Sequence, residues 1–389
     1  MVDISRRNAL ILDGFGLGGV ALGGTGFVLN QKSSTDLAAG AASAAALVLP
    51  TELRSSNGVL TTALESSSQR IRIAGRDVQA LTYNGGLPGP TLRVRAGDIL
   101  NVSLRNGLTD PTNLHVHGLH VSPEDNSDNM FVMINAGDSF HYSYAIPADH
   151  PPGVYWYHPH HHGSVADQVF GGLYGAIIVE DPEQISATRE RVLVISDLTF
   201  DSSGTVSAVT EMEKMSGREG DLVLVNGQLT PELNARPGER ERWRVINACT
   251  SRYLQLRLDG QQMTLLGIDS GRFGAPRDVE EVILAPGNRA DLLVTCRAGT
   301  SSLRALPYDR GTSGGMMGST ASNPAEVALA TFTVAGADAA AFAAVPDQPL
   351  PTDLRSATVA ARRELVFAMG MGGWHERRDD VRDNQRPRI

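Results

Sequence analysis

Short runs of alternating apolar and polar residues, each closed by turn residues, recur along most of this chain from Ile71 onward. "RIRIAG", "LRVRAGDILNVSLRNG" and "FHYSYAIP" show the pattern, and "NGGLPGP" and "ADHPPG" are turn clusters between such runs. A period of two residues is typical of strands with one buried face. No stretch between residues 60 and 182 has a convincing helical period. The pattern predicts an all-β fold that begins with a β-sandwich over residues 60–182.

A second series of strand-like runs starts at "RVLVISDLTF" and closes near "ALATFTVAG". The segments "NGG…PGPTLRVRAGDILNVSLRN" and "NGQ…ELNARPGERERWRVIN" share one layout. Each has an Asn-Gly turn, a strand, a glycine turn with an acidic residue, and a strand that ends in asparagine. Such an internal repeat indicates duplicated sandwiches. We therefore predict a second sandwich over residues 186–336.

The N-terminal residues 1–46 resemble an export signal. Arg6 and Arg7 precede a weakly apolar, glycine-rich stretch, which is typical of a twin-arginine signal. An ordinary membrane anchor fits less well because Asp13 interrupts the stretch, although an anchor or a misassigned start stays open. We predict export to the periplasm, cell surface or medium, with no membrane association beyond this signal.

The C-terminal part changes character twice. Residues 337–360 are rich in alanine and proline, which indicates a linker. "RRELVFAMGMGG" then predicts the first strand of a third unit, but the charged, aperiodic "WHERRDDVRDNQRPRI" cannot form a core. We expect residues 361–389 to be the truncated start of a third sandwich, through a frameshift or premature stop. An evolved two-domain protein is the alternative.

The net charge limits the possible binding partners, and the cysteine content leaves the disulfide state open. A net charge of −9 and a pI near 5.6 argue against nucleic-acid binding, because no basic face would release counterions. Cys249 and Cys296 form no CxxC motif, so a disulfide and two buried thiols both stay open. The sequence gives no indication of an oligomeric state.

Histidine is concentrated in two short motifs, "NLHVHGLH" and "YWYHPHHHG". Residues i and i+2 of a strand point the same way, so each HxH would present two imidazoles on one face. Two such pairs on neighbouring strands would place four imidazoles around a common space. Since histidine is the commonest metal ligand, the sequence predicts a metal site formed by His115, His117, His158 and His160.

Other residues of the two histidine motifs are expected to shape the backbone around the metal site or to lie outside it. Gly118 and Gly163 follow the two pairs and would let backbone pass close by. Pro159 lacks a backbone N–H, so the second pair should lie at a sheet edge or a strand end. Five more histidines are expected behind the ligands, at the surface or beside turns: His120, His141, His150, His161 and His162.

The identity of the metal is narrowed by what surrounds the histidines. Imidazole suits zinc, copper, iron or nickel. A metallohydrolase motif of the HxHxDH type fails because Leu119 and His120 follow Gly118, and no glutamate is placed as in a cupin. Four histidines without a neighbouring thiolate fit copper clusters that bind dioxygen.

The phrases "YNGGLPGPTLRVRAGD", "TNLHVHGLHVSP" and "PPGVYWYHPHHHGSVADQVFGGLYGAIIVEDP" resemble the N-terminal domain of laccase-like multicopper oxidases. The resemblance extends from about residue 70 to 340 and includes "LVNGQ", "RWRVINA" and "LAPGNRADLLV". It implies tandem cupredoxin-like Greek-key sandwiches, two of them complete and a third present as a stub.

The resemblance also implies roles for particular residues. His115 would bind the type 2 copper, and the type 3 copper pair would be bound by His117, His158 and His160. An acidic residue downstream of the first motif would deliver protons to bound oxygen. Asp128 is the candidate, with Asp125 as the alternative, although either residue could simply form a turn.

The sequence departs from the family where the third domain should supply ligands. Neither HPxHxH nor HCHxxxHxxxxM occurs, and His375 stands alone. We therefore expect a partial type 2 and type 3 site without a type 1 copper. The family reaction couples one-electron oxidation of a phenolic or metal-ion substrate to reduction of dioxygen to water. The chain as given should be inactive or nearly so.

Two other functions stay open. One is a non-catalytic, exported structural cupredoxin protein. The other is a copper-storage or copper-tolerance protein that binds copper through the histidine pairs with help from Met316 and Met317.

Overall fold

The fold is known from a computed structural model, and the structure describes residues 45–309, 325–340, 342–345, 347–348, 354–362, 367–370 and 373–376. The export signal, apart from its last two residues, and the Met316–Met317 pair lie outside these ranges. Within them strands dominate, as the alternating pattern predicts. Helical segments are short: α1 (Val165–Gly171), α2 (Glu211–Ser216) and one 3₁₀ turn (Leu354–Ser356). None of the described helices is long and apolar enough to cross a membrane.

The first sandwich contains nine strands. These are β1 (Glu52–Arg54), β2 (Val59–Ile73), β3 (Arg76–Tyr83), β4 (Thr91–Val94), β5 (Ile99–Asn106), β6 (His115–His117), β7 (Ser139–Ala145), β8 (Gly153–His158) and β9 (Gly175–Val179). One sheet has the order β1-β4-β9-β8-β6, and the other has the order β3-β2-β5-β7. The chain thus joins the fold at β1, earlier than residue 60.

The two sheets of this sandwich share one core. Leu92 and Val94 from the first sheet pack with Leu100 and Val102 from the second, and all four are at most 1% exposed. Leu100 and Val102 alternate with more exposed neighbours along β5, which is why the period-two pattern could be recognised in that strand. Each fully buried aliphatic side chain contributes about 1.5–3 kcal/mol of transfer free energy.

The second sandwich contains eleven strands. These are β10 (Arg189–Leu198), β11 (Leu222–Val225), β12 (Glu232–Ala235), β13 (Arg240–Asn247), β14 (Leu254–Leu258), β15 (Gln262–Ile268), β16 (Arg277–Val279), β17 (Glu281–Leu284), β18 (Arg289–Thr295), β19 (Gly299–Leu306) and β20 (Val327–Val334). Its sheets have the orders β11-β10-β13-β18-β15-β16 and β12-β20-β19-β14-β17. The all-β tandem sandwich architecture is confirmed.

The internal repeat is visible in the geometry of the two sandwiches. Asn84 and Asn226 open their turns with φ angles of 53° and 51°, each followed by a glycine with positive φ. The strands β5 and β13 both end in a fully buried asparagine, Asn106 and Asn247. Each of these asparagines donates through Nδ2 to two backbone carbonyls, one that lies four or five residues further along the chain and one that lies much further along it. The duplicated phrases therefore mark duplicated turns and loop anchors.

Some expectations need correction. The helix α1 lies inside the segment where the sequence showed no helical period, and its seven residues, about two turns, are too few for such a period to appear. Cys249 and Cys296 are both buried free thiols, which decides against a disulfide. The predicted third-domain strand forms β21 (Phe367–Gly370), which pairs with β22 (Gly373–Glu376). That second strand overlaps the start of the charged tail, for which only the absence of a core was predicted; residues 377–389 lie outside the described ranges.

Strand β8 belongs to two cores at once. Tyr155 and Tyr157 point into the core of the first sandwich, whereas Val154 and Trp156 join an apolar cluster with β10 and β13 of the second. Every residue of β8 is buried as a result. The strand is therefore packed on both faces up to its last residue, His158.

Candidate metal centre

The two histidine motifs lie on neighbouring strands at the edge of a sheet. Strand β6 is the edge strand and pairs antiparallel with β8, which places His115 opposite His158 and His117 opposite Trp156. Strand β8 ends at His158, and Pro159 follows it directly. The prediction that the proline-containing pair lies at a strand end is confirmed.

Three of the four predicted ligands converge tightly. Ligand nitrogens of His115, His117 and His158 all lie within 4.8 Å of one another. The His117 Nδ1 and His158 Nε2 atoms are 3.3 Å apart. Two nitrogens bound to one tetrahedral metal ion at about 2.0–2.1 Å would lie about 3.3 Å apart. The observed spacing of this pair thus fits a shared ion.

Hydrogen bonding and burial prepare the His158 imidazole as a neutral ligand. Its Nδ1 lies 2.8 Å from the Pro159 carbonyl oxygen, so this nitrogen carries the proton and donates it. The Nε2 lone pair is then free to face His117. Burial lowers the pKa of His158 well below its usual value, and the neighbouring His115 contributes to the shift.

The His117 ring is also kept neutral. Burial lowers its pKa to about 4, and the positive charge of Arg289 in the second sandwich adds to the effect. A metal ion binds only unprotonated imidazole, so a depressed pKa removes the competition of protons near neutral pH.

The third converging ligand, His115, is oriented by Asp128. The His115 Nδ1 and Asp128 Oδ1 atoms are 2.9 Å apart, and the same oxygen accepts the Val116 backbone N–H at 3.0 Å. This arrangement places the proton on Nδ1 and leaves Nε2 free, as in many carboxylate–histidine–metal groups. Asp125, the alternative, is exposed at a turn with φ of 52°, and it is Asp128 that contacts His115.

The fourth histidine reaches the cluster in a way that the strand pattern did not predict. Because β8 ends at His158, His160 lies in the following loop, and the period-two argument does not apply to it. Its ring centroid is 5.2 Å from that of His115. Its backbone N–H donates to Oδ1 of the fully buried Asn113 at 2.6 Å. Asn113, which our sequence reasoning missed, also donates to the carbonyls of Met130 and Val132.

Gly118 and Gly163 are glycines for different structural reasons. Gly118 has φ of 89°, and a Cβ atom there would lie 2.5 Å from a guanidinium nitrogen of Arg289. Gly118 therefore leaves room for a side chain from the second sandwich, whereas we predicted that backbone would pass close to this glycine. Gly163 has φ of 92° with open space around it, so its backbone conformation alone favours glycine.

The remaining histidines of the region stand apart from the converging group. His120 and His162 are exposed, as is His141 on β7, and His161 is half-buried. His150 is buried, accepts the His120 backbone N–H through Nε2, and donates through Nδ1 to the Pro151 carbonyl.

Two further features of the site were not predicted. The indole of Trp156 stacks against His158 and His117, with ring centroids 4.1 and 5.2 Å away. The turn at Gly287, φ of 83°, approaches His117 so closely that a Cβ there would lie 3.2 Å from its Cε1 atom. Alternation of Trp156 with the buried tyrosines of β8 could have suggested the first contact. No sequence signal indicated the second.

Family models match both sandwiches. Residues 66–184 and residues 189–305 each match a model described as multicopper oxidase. Together the two matches include more than half of the 389 residues.

Named relatives agree with these matches. A multicopper oxidase of Mycobacterium tuberculosis is 30% identical over 316 residues, spanning 72% of this chain and 61% of that protein. Copper resistance protein A of Escherichia coli is 29% identical over 293 residues, spanning 62% of this chain and 47% of that protein. The chain therefore spans only about half to three fifths of the length of these relatives.

Solved structures share the fold. A Campylobacter jejuni multicopper oxidase, described as a metallo-oxidase, superposes with a TM-score of 0.70 at 30% identity. The match includes 80% of this chain and 65% of that one. An Aquifex aeolicus multicopper oxidase variant gives a TM-score of 0.71 at 25% identity, over 85% of this chain and 74% of that one.

Proposed function

Because the chain belongs to the multicopper oxidase family, we propose that its four clustered histidines hold copper ions at one side of an oxygen-reducing site. The observation that carries this proposal is the convergence of three imidazoles whose nitrogens lie within 4.8 Å of one another. All-imidazole ligation suits copper, and the Nδ1 hydrogen bonds of His115 and His158 leave the Nε2 atoms of these rings available to bind it.

The proposal divides the ligands between two kinds of copper. His117 and His158, with facing nitrogens 3.3 Å apart, would share one ion of the type 3 pair, and His160 would serve the other. His115, which is oriented separately by Asp128, would hold the type 2 ion. The hydrogen bonds of the His115, His117 and His158 rings support this division.

The chain's own residues would orient ligands and hold protons during the reaction. Bound copper supplies one-electron redox chemistry that takes electrons from a small reducing substrate and reduces dioxygen to water. Asp128, half-buried beside His115, is placed to hold and release a proton at its other carboxylate oxygen, because Oδ1 already accepts two N–H groups. A phenolic compound or a metal ion is the proposed reducing substrate.

The copper ligands present in the sequence limit the proposal to the type 2 and type 3 ions. The sequence as given has no cysteine next to a histidine, so we propose that the type 1 electron-entry site is not formed by these 389 residues. On its own the chain should then reduce oxygen far more slowly than about one turnover per second, the lower end for typical enzymes. Export through the twin-arginine-type signal is also part of the proposal.

Copper stoichiometry tests the proposal directly. The metal-free chain is loaded with Cu(I) without oxygen, desalted, and assayed for copper per chain. We expect the wild type to retain copper and His158→Ala to retain less. His161→Ala is the matched control, because His161 is a half-buried neighbour outside the converging group. A wild type without copper, or equal losses in both variants, would refute the proposal.

The non-catalytic structural reading is not favoured. A cell division protein of Sodalis glossinidius is 33% identical over 235 residues, so the relatives include a protein that is not named as an oxidase. A purely structural role would not need four imidazoles around one space, two of them oriented by hydrogen bonds at Nδ1.

A further inference from the structure

Arg289, at the start of β18 in the second sandwich, reaches across to the histidine motif of the first sandwich. Its side chain is 4% exposed, and its Nε donates to the Val154 carbonyl of β8 at 3.1 Å. Another nitrogen of the guanidinium occupies the space beside Gly118 where any Cβ would stand. The guanidinium is thus buried directly behind the β6 histidines.

The same guanidinium also fixes the turn that touches His117. Arg289 Nη1 donates at 3.0 Å to the Gly287 carbonyl and at 3.0 Å to Asp269 Oδ1. Asp269 additionally accepts the Arg289 backbone N–H and the amide of Asn288. Since Gly287 lies against the His117 ring, the position of that ring depends on this hydrogen-bonded turn.

The charge balance at this location is uneven. Arg289 is buried, whereas the side chain of its carboxylate partner, Asp269, is 38% exposed and therefore better solvated. Solvent screens the exposed negative charge more than the buried positive one. A net positive potential is left behind His117.

We propose that Arg289 is a positioning residue of the copper centre, which fixes the Gly287 turn against His117 and places a buried positive charge that favours Cu(I) over Cu(II) there. This inference rests on the proposed function, because it requires copper at His117. The physical reason is that a fixed positive charge destabilises the doubly charged ion more than the singly charged one. The second sandwich would then tune the metal as well as pack against it.

Three variants separate charge from packing. Arg289→Met removes the charge, Arg289→Lys keeps the charge without the fork of hydrogen bonds, and Asp269→Asn removes the opposing charge. Asparagine tolerates the φ of 59° at position 269. Its Oδ1 can still accept the three hydrogen bonds that end on Asp269 Oδ1, and only the Asn288 contact at Oδ2 is lost. Each copper-loaded protein is equilibrated in one mediator mixture at one ambient potential. X-ray absorption at the copper K edge then gives the ratio of Cu(I) to Cu(II).

The expected changes have opposite signs. Arg289→Met should lower the ratio by about tenfold, as expected for removal of a buried unit charge at an effective dielectric constant of about 20. Arg289→Lys should stay near the wild type, and Asp269→Asn should raise the ratio by about twofold to threefold because its charge is partly screened. Circular dichroism and thermal melting show which variants are folded.

The outcomes distinguish this inference from the function on which it rests. A folded, copper-loaded Arg289→Met protein with the wild-type ratio would overturn the inference alone. If Arg289→Met does not fold, Asp269→Asn decides: a raised ratio supports the inference, and an unchanged ratio overturns it. A wild type that holds no copper would overturn the proposed function together with the inference.

Discussion

Replacing Asp128 by asparagine removes a charge behind His115 while keeping the shape of the side chain. In the structure, one carboxylate oxygen of Asp128 accepts both the His115 Nδ1–H and the Val116 backbone N–H. Asparagine can accept the same two hydrogen bonds through its carbonyl oxygen, but without the negative charge. The His115 ring would then keep its orientation and lose basicity at Nε2.

The size of the effect follows from the hydrogen bonds that are weakened. Loss of a partner behind a metal-bound histidine lowers metal affinity by about 10–100-fold, equal to about 1.4–2.7 kcal/mol. Because Asp128→Asn keeps both acceptor contacts, we expect a loss of about tenfold in copper affinity. Asp128→Ala should lose about 100-fold. It should also destabilise the fold by about 1–3 kcal/mol, because the buried Val116 N–H loses its partner.

The assay is a competition titration of Cu(I) between the protein and a colorimetric chelator, without oxygen, at pH 7. Asp125→Asn is the matched control, since Asp125 is exposed on the same loop and asparagine tolerates its positive φ. We expect this control to bind copper as the wild type does. If Asp128→Asn bound copper within twofold of the wild type, the assigned role of Asp128 would be wrong. If Asp125→Asn were the weaker binder, the alternative carboxylate would be the correct one.

Two further predictions concern the metal-free chain and the loop ligand. Burial lowers the pKa of His117 to about 4 and that of His158 below its usual value, so between about pH 6.5 and 4 the unfolded chain binds protons that the folded chain does not. The free energy of unfolding should therefore fall as the pH is lowered through this window. The His117 contribution, discounted for partial exposure, is on the order of 2 kcal/mol. Urea denaturation of the wild type and His117→Gln at several pH values measures it, and equal slopes would contradict the prediction. Asn113→Ala should lower stability by about 2 kcal/mol, because buried polar groups lose their partners. It should also lower copper retention because His160 is released; denaturation and copper analysis together check both effects, and normal values of both would refute the role of Asn113.

The sequence was sufficient for those parts of the fold that depend on local patterns. The alternation along β5 and the two Asn-Gly turns could be recognised because each pattern depends on the backbone conformation of only a few consecutive residues. The pairing of the HxH motifs was likewise foreseeable, since β6 is too short to hold more than one pair and must have a neighbour. A short helix such as α1, with seven residues, has too few residues for a helical period to appear.

The rest of the site depends on contacts between residues that are far apart along the chain. His160 is placed by a hydrogen bond that its backbone N–H donates to Asn113, 47 positions away, and nothing in the spacing of "HPHHHG" encodes that bond. Gly287 and Arg289 belong to another sandwich altogether. Their approach to His117 follows from how two sandwiches pack, which no period along one strand can indicate.

The double burial of β8 has a consequence for inheritance and recombination. A gene fragment that encoded the first sandwich alone would retain every proposed ligand, yet it would expose Val154 and Trp156 to water. It would also lose the arginine that now donates to the Val154 carbonyl. Recombination that moved the first sandwich alone would therefore transfer the histidines without the packing that supports them. Selection on the ligand strand β8 must therefore act on both sandwiches together. Substitutions in the second sandwich, where it packs against β8, are among those able to change the metal site.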